Sequence, residues 1–199
     1  MRDLIKSLTC IAALALAAPA LAQDTSDAAP QDTPEPQTAT EEAAAPKVGE
    51  TYVRDTHGDW QLRCARAPEG QTDPCQLYQL LSDEQGNSVA EISIFPLPDG
   101  ANGQAVAGAT IVTPLETLLT EQLRVNVDDG EAKVYPFSWC NQVGCFARIG
   151  FTAEDVASFK RGAEAALRIV PVAAPDQQVV LRVSLSGFTA GFDALAAEQ

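Results

Sequence analysis

The feature that most constrains this chain is the placement of its cysteines. Of five, Cys10 falls in an N-terminal apolar run, leaving Cys64, Cys75, Cys140 and Cys145 as two close pairs. An even set of cysteines downstream of an export signal reads as a disulfide framework, and three pairings are formally possible. Closure entropy alone favours a long link such as 75 to 140, at about 4 kcal/mol against roughly 2 to 3 for each local loop. Geometry decides otherwise. Asn141-Gln142-Val143-Gly144 fits a short hairpin loop whose flanking cysteines face each other within bonding reach, and the expected bonds are therefore Cys64–Cys75 and Cys140–Cys145.

Residues 1–22 carry the export signal that this reading needs. Arg2 and Lys6 form a basic start, Leu8 to Ala18 is a short apolar run, and Ala20-Leu21-Ala22 offers a small-x-small cleavage site between Ala22 and Gln23. The run is too short to span a bilayer, so no transmembrane segment is expected after cleavage. Residues 23–48 are almost entirely Ala, Pro, Thr, Glu, Asp and Gln, a composition that cannot bury enough apolar surface to offset its ordering entropy; it reads as a disordered linker. Residues 49–199 then form one domain, and the protein is expected in the periplasm or outside the cell.

Beyond residue 48 the apolar pattern has period two. Trp60, Leu62 and Cys64 alternate with Gln61, Arg63 and Ala65, and Val179, Leu181, Val183 and Leu185 form a second such run. Further strands are expected near 75–82, 89–95, 106–112, 123–128, 132–138, 145–150 and 165–171. Asp83 to Asn87, Asp99 to Gly103 and Asp128 to Glu131 supply turn chemistry between them. Thr152-Ala153-Glu154-Asp155 resembles a capping box opening a helix that buries Val156 and Phe159 and ends at Gly162, and a second short helix is expected over 190–197. The fold class that satisfies these faces is all-β, a β-sandwich with one or two short helices, with a closed barrel as the alternative.

No residue set points to chemistry. His57 is the one histidine, read as a solvated turn residue; it has no histidine partner for a metal and no G-x-S-x-G nucleophile to serve. C-x4-C lacks the spacing of a redox motif. Asp83-Glu84 and Asp128-Asp129 lack calcium-loop spacing and sit where turns account for them. Trp60 and Trp139, beside cysteines in alternating segments, read as core, although exposed tryptophans would suit a carbohydrate or cell-wall binding module. The net charge of -14 disfavours nucleic acid as a partner. Catalytic, cofactor and metal residues are thus none, and the expected protein is not an enzyme.

Several segments together resemble the invasion-associated locus B family: Gly58-Asp59-Trp60-Gln61-Leu62-Arg63-Cys64, Cys75 followed by Gln79, Pro136-Phe137-Ser138-Trp139-Cys140, Gly144-Cys145-Phe146-Ala147 and Ser184-Leu185-Ser186-Gly187-Phe188. The resemblance covers about residues 50–197. It implies an immunoglobulin-like β-sandwich, two local disulfides, export in a Gram-negative cell, and in pathogenic members a link to host-cell invasion without catalytic residues. The implied role is a non-enzymatic cell-envelope module that binds an envelope or host protein. Intact-mass analysis of the secreted product should find a chain beginning at Gln23 with no titratable thiol; an uncleaved N-terminus or free sulfhydryls would contradict the reading.

Overall fold

A computed structural model describes residues 45–98 and 103–197. The export signal with its Ala22/Gln23 cleavage site, most of the linker and most of the 99–103 turn lie outside the described residues. Eleven strands and two helices follow in order: β1 (Thr51–His57), β2 (Trp60–Ala65), β3 (Cys75–Ser82), β4 (Ser88–Pro96), β5 (Ala105–Thr113), β6 (Leu123–Val127), β7 (Lys133–Tyr135), β8 (Trp139–Cys140), β9 (Cys145–Thr152), α1 (Ala153–Arg161), β10 (Glu164–Ile169), β11 (Val179–Ser184) and α2 (Phe188–Ala196). They form an antiparallel β-sandwich with a seven-stranded sheet, β1-β2-β3-β4-β5-β9-β8, and a four-stranded sheet, β11-β10-β6-β7. The sandwich with two short helices is the architecture the alternation predicts.

The core follows from that alternation. Trp60, Leu77, Leu81, Ile92, Ile94, Ile111 and Ala147 of the large sheet are buried against Leu123, Leu167, Leu181 and Val183 of the small one. Fully burying each such aliphatic side chain contributes about 1.5–3 kcal/mol. Both helices close the sandwich through aromatic contacts. Phe188 of α2 meets Trp60 edge-on at 5.3 Å and Phe159 of α1 at 5.4 Å, and Phe159 meets Phe151 of β9 at 5.0 Å.

Both disulfides, Cys64–Cys75 and Cys140–Cys145, join directly paired residues of adjacent strands, β2 to β3 and β8 to β9. Within the first loop Asp73 accepts from the Tyr52 hydroxyl at 2.6 Å and the Ala67 amide at 2.7 Å, and these donors hold its carboxyl below the ordinary aspartate range. Helix α1 starts as its sequence predicts. The Thr152 hydroxyl accepts from the Asp155 amide, and Asp155 Oδ2 accepts from the Thr152 amide. Partial burial works against the charge of Asp155, but its ion pair with Lys133 and the Thr152 donors outweigh it, so its pKa lies below the ordinary value.

The two sheets are pinned to each other by polar groups at one end. Gln79, buried on the inner side of β3, donates from Nε2 to the Ser184 carbonyl at 3.0 Å and accepts from the Ser184 amide at 2.9 Å. Its side-chain amide thus pairs with the backbone of β11 as a neighbouring strand would. The Ser184 carbonyl also accepts from Trp60 Nε1 at 2.8 Å, the Ser184 hydroxyl donates to Asp59 Oδ2 at 2.5 Å, and the Asp59 amide donates to the Ser186 carbonyl at 3.1 Å. Two glycines permit this closeness. Gly58 and Gly187 both have positive φ, and a Cβ on Gly187 would lie 2.0 Å from the His57 carbonyl oxygen.

Three expectations are corrected, and one strand carries no signal in the sequence. Trp139 is 42% exposed, not core: its neighbour Cys140 and that residue's partner Cys145 take the inward direction of the β8–β9 pair, so period two sends Trp139 and Phe146 outward. His57 is not a solvated turn residue. It ends β1 against Gly191 of α2, and its Nε2 is buried without a hydrogen-bond partner, 3.4 Å from Asp55 Oδ2. The strand expected over 132–138 is limited to β7, because Pro136 cannot donate to the ladder. Strand β1 was not anticipated, since an edge strand exposed along most of its length needs no apolar alternation.

Gln79→Leu should lower unfolding stability by about 1–3 kcal/mol in urea denaturation, because the Ser184 amide and carbonyl lose partners in a buried setting; an unchanged midpoint would remove the clasp from the account. Asp155→Asn should destabilise most at neutral pH. A depressed folded-state pKa stabilises above the unfolded value and is lost as pH falls through the folded one, so the two proteins should converge below the ordinary aspartate value of 3.8.

Candidate interaction surface

With one face of the large sheet in the core, its other face is available for function, and its composition is unusual for a solvated surface. Cross-strand register aligns Leu80, Glu91, Val112, Phe146 and Trp139 in one row over β3, β4, β5, β9 and β8. Four of the five are apolar; Val112 at the centre is largely covered at 9% exposure, Phe146 is half-buried, and the exposed area lies toward the two ends. Leu80 is 53% exposed, and Val143, in the hairpin loop after β8, is 74% exposed. A cavity of ≈ 200 Å³ lies beside the row, with Leu80, Val89, Val112, Pro114 and Val143 among its walls. Solvated β-strand faces ordinarily alternate apolar-in with polar-out, so outward apolar side chains in register mark contact surface.

The next row, Gln61, Tyr78, Ser93, Thr110 and Arg148, is polar and braces the first. The Arg63 guanidinium lies over the Tyr78 ring at 3.3 Å, and the Tyr78 hydroxyl donates to Glu91 Oε2 at 2.9 Å. Burial and then the Glu91 bond push the Tyr78 phenol pKa up, keeping it a neutral donor. Trp139 stacks on Phe146 with centroids 5.0 Å apart and planes within 8°, and the Arg148 guanidinium stands 5.3 Å from its ring. Cation–ring contacts of this kind hold long side chains in place and lower the entropy a partner must remove on binding.

The larger cleft, ≈ 530 Å³, opens where β2 and β3 meet β10 and β11. It contains Asp59, Arg63, Asp83, Glu164, Arg182 and Ser184. The Ser184 hydroxyl donates to Asp59, Glu164 pairs with Arg182 at 2.9 Å, and His57 does not line the cleft. Asp83, read from sequence as a turn residue, has that role and accepts from the Gln85 and Asn87 amides, whereas the Asp128 carboxylate reaches beyond its own turn to the Ala163 and Glu164 amides. Among the described residues no cluster of three or more His, Cys, Asp or Glu side chains is arranged to hold a metal, and no helix is long and apolar enough to cross a membrane.

A signal for the outward row does exist in the sequence: Leu80-Leu81, Ile111-Val112 and Cys145-Phe146-Ala147 place apolar residues on both faces of their strands. Doubled apolar positions of this kind read equally well as deep burial, so the sequence alone does not separate the two.

Comparison with known proteins gives a consistent picture. The family model described as Invasion associated locus B (IalB) protein matches residues 60–196. Two invasion protein B homologs of Brucella abortus, from strain 2308 and from biovar 1 strain 9-941, are each 26% identical over 155 residues, covering 78% of this chain and 86% of their own. The crystal structure of invasion associated protein B from Bartonella henselae aligns with a TM-score of 0.61 and 26% identity, over 73% of this chain and 95% of that one.

Acrylamide quenching should resolve the two tryptophans into an accessible Trp139 and a protected Trp60. Trp139→Phe should leave only quench-resistant emission; strong residual quenching would place Trp60 at the surface.

Proposed function

Because this chain belongs to the invasion associated locus B family, we propose that it is an exported, non-enzymatic cell-envelope protein whose large sheet binds another protein through its outward face. The observation that carries this reading is the registered row of apolar side chains from Leu80 to Trp139, flanked by Arg148 and rimmed by Val143. Aromatic and arginine side chains are enriched at interface cores, and here each is held by a neighbour before any partner arrives. The relatives carry names referring to invasion; in this chain that process would draw on the same face. The disulfides suit an oxidising compartment, and the export signal supplies the route.

A second reading, a carbohydrate or cell-wall binding module, draws on the exposure of Trp139. It is the weaker one, because Phe146 already stacks on that ring and leaves one face at most for a sugar.

Cross-linking in intact cells tests the proposal. The wild-type chain should give a discrete protein adduct, and Leu80→Ser with Val143→Ser should abolish it without lowering the yield of folded, disulfide-bonded protein. An adduct that survives both substitutions, or its absence in the wild type, would overturn the reading. Tryptophan emission that shifts on adding peptidoglycan fragments would favour the carbohydrate module instead.

A further inference from the structure

We infer that the partner of this face is a second copy of the chain, in an isologous, face-to-face dimer; the inference rests on the reading of the outward row as a protein-binding surface. The row is arranged to complement itself. Its order is Leu80, Glu91, Val112, Phe146, Trp139, with Val112 on the middle strand, β5. A two-fold axis parallel to β5 and lying between two such faces exchanges the strands on either side of it. Leu80 of one copy then meets Trp139 of the other, Glu91 lies over the other copy's Phe146, and the axis passes over Val112, which is largely covered within its own copy.

Charge follows the same symmetry. Arg148 is two residues beyond Phe146 on β9, a displacement of about 7 Å that an arginine spans, so it reaches the Glu91 of the other copy. Glu91 Oε2 accepts the Tyr78 hydroxyl, which leaves its second oxygen to take the guanidinium of the other copy. Each copy gives one such carboxylate and one such guanidinium, and the two-fold axis makes both pairs at once. Val143 is itself a wall of the ≈ 200 Å³ cavity beside Leu80, Val89 and Pro114 and is 74% exposed, so it borders the face that the second copy covers.

The size is adequate. Four strands, β3, β4, β5 and β9, at ~4.8 Å spacing with eight to nine residues at ~3.4 Å give about 19 by 30 Å, and the two-residue β8 adds a strip of about 5 by 7 Å, so the face comes to roughly 1,200 Å² over two copies, at the lower edge of the range of stable interfaces. A foreign partner would have to supply this pattern of apolar groups and opposite charges independently, whereas a second copy supplies it by construction.

Sedimentation equilibrium of the purified, disulfide-intact chain across the micromolar range tests the dimer. The wild type should dimerise. Glu91→Arg and Arg148→Glu should each weaken association about tenfold or more, and the double exchange should restore it. The double variant guards against a fold defect, because two independently misfolded substitutions do not rescue each other. A wild type that stays monomeric, a dimer indifferent to both single reversals, or a double variant as weak as the singles would each overturn the inference. A monomeric chain that still forms a Leu80-dependent adduct with a different protein in cells would remove the dimer alone and leave the proposed interaction role standing.

Discussion

The amide of Gln79 joined to the backbone of Ser184 is the contact on which the arrangement depends. Hydrophobic burial drives two sheets together without fixing how they sit, since apolar faces slide at little cost. A buried side chain that both donates and accepts across the gap has one satisfactory position, and leaving it unsatisfied is expensive. Trp60, Asp59, Gly58, Ser186 and Gly187 all serve this same junction. Residues of the segments around Gly58-Asp59-Trp60, Gln79 and Ser184 to Gly187 therefore meet at one end of the sandwich, where they set the relation of the layers.

That convergence bears on function. Segments gathered in one place invite the expectation of a reaction centre, yet the Gln79 amide, Trp60 Nε1 and the Ser184 hydroxyl are each hydrogen-bonded to another part of the fold. Ser184 and Asp59 hold each other, and the imidazole of His57 packs against α2 on a different side of the hairpin. With the inner face occupied by the core and the junction by the clasp, the outer face of the large sheet is the surface left to vary in purpose. Its apolar row is compatible with a folded chain because Val112 at the centre is largely covered and Glu91 and the polar row of Tyr78, Ser93, Thr110 and Arg148 flank the rest.

Much of the fold was legible in the chain. Trp60, Leu62 and Cys64 announce an inward strand face, Thr152 and Asp155 announce a helix start, and four residues between Cys140 and Cys145 announce a hairpin, because each signal is local. What was not legible depended on long-range pairing. The outward direction of Trp139 depends on which way Cys140 and Cys145 point, and the burial of His57 depends on a helix more than 130 residues later in the chain. Strand β1 gave no signal because its stability comes from pairing with β2 and from little burial of its own. The role of Gln79 was equally hidden: a single glutamine in a strand says nothing of the backbone it will meet 105 residues on.

Hydroxyl-radical footprinting, which reads side-chain accessibility, addresses the central claim that the outward row is a covered surface in the cell and the clasp a permanent one. In dilute purified protein Leu80, Phe146 and Trp139 should be oxidised readily, and in intact cells they should be shielded, with Trp60 and Phe188 protected in both. Equal labelling of Leu80 and Trp139 in cells and in dilute solution would contradict the account.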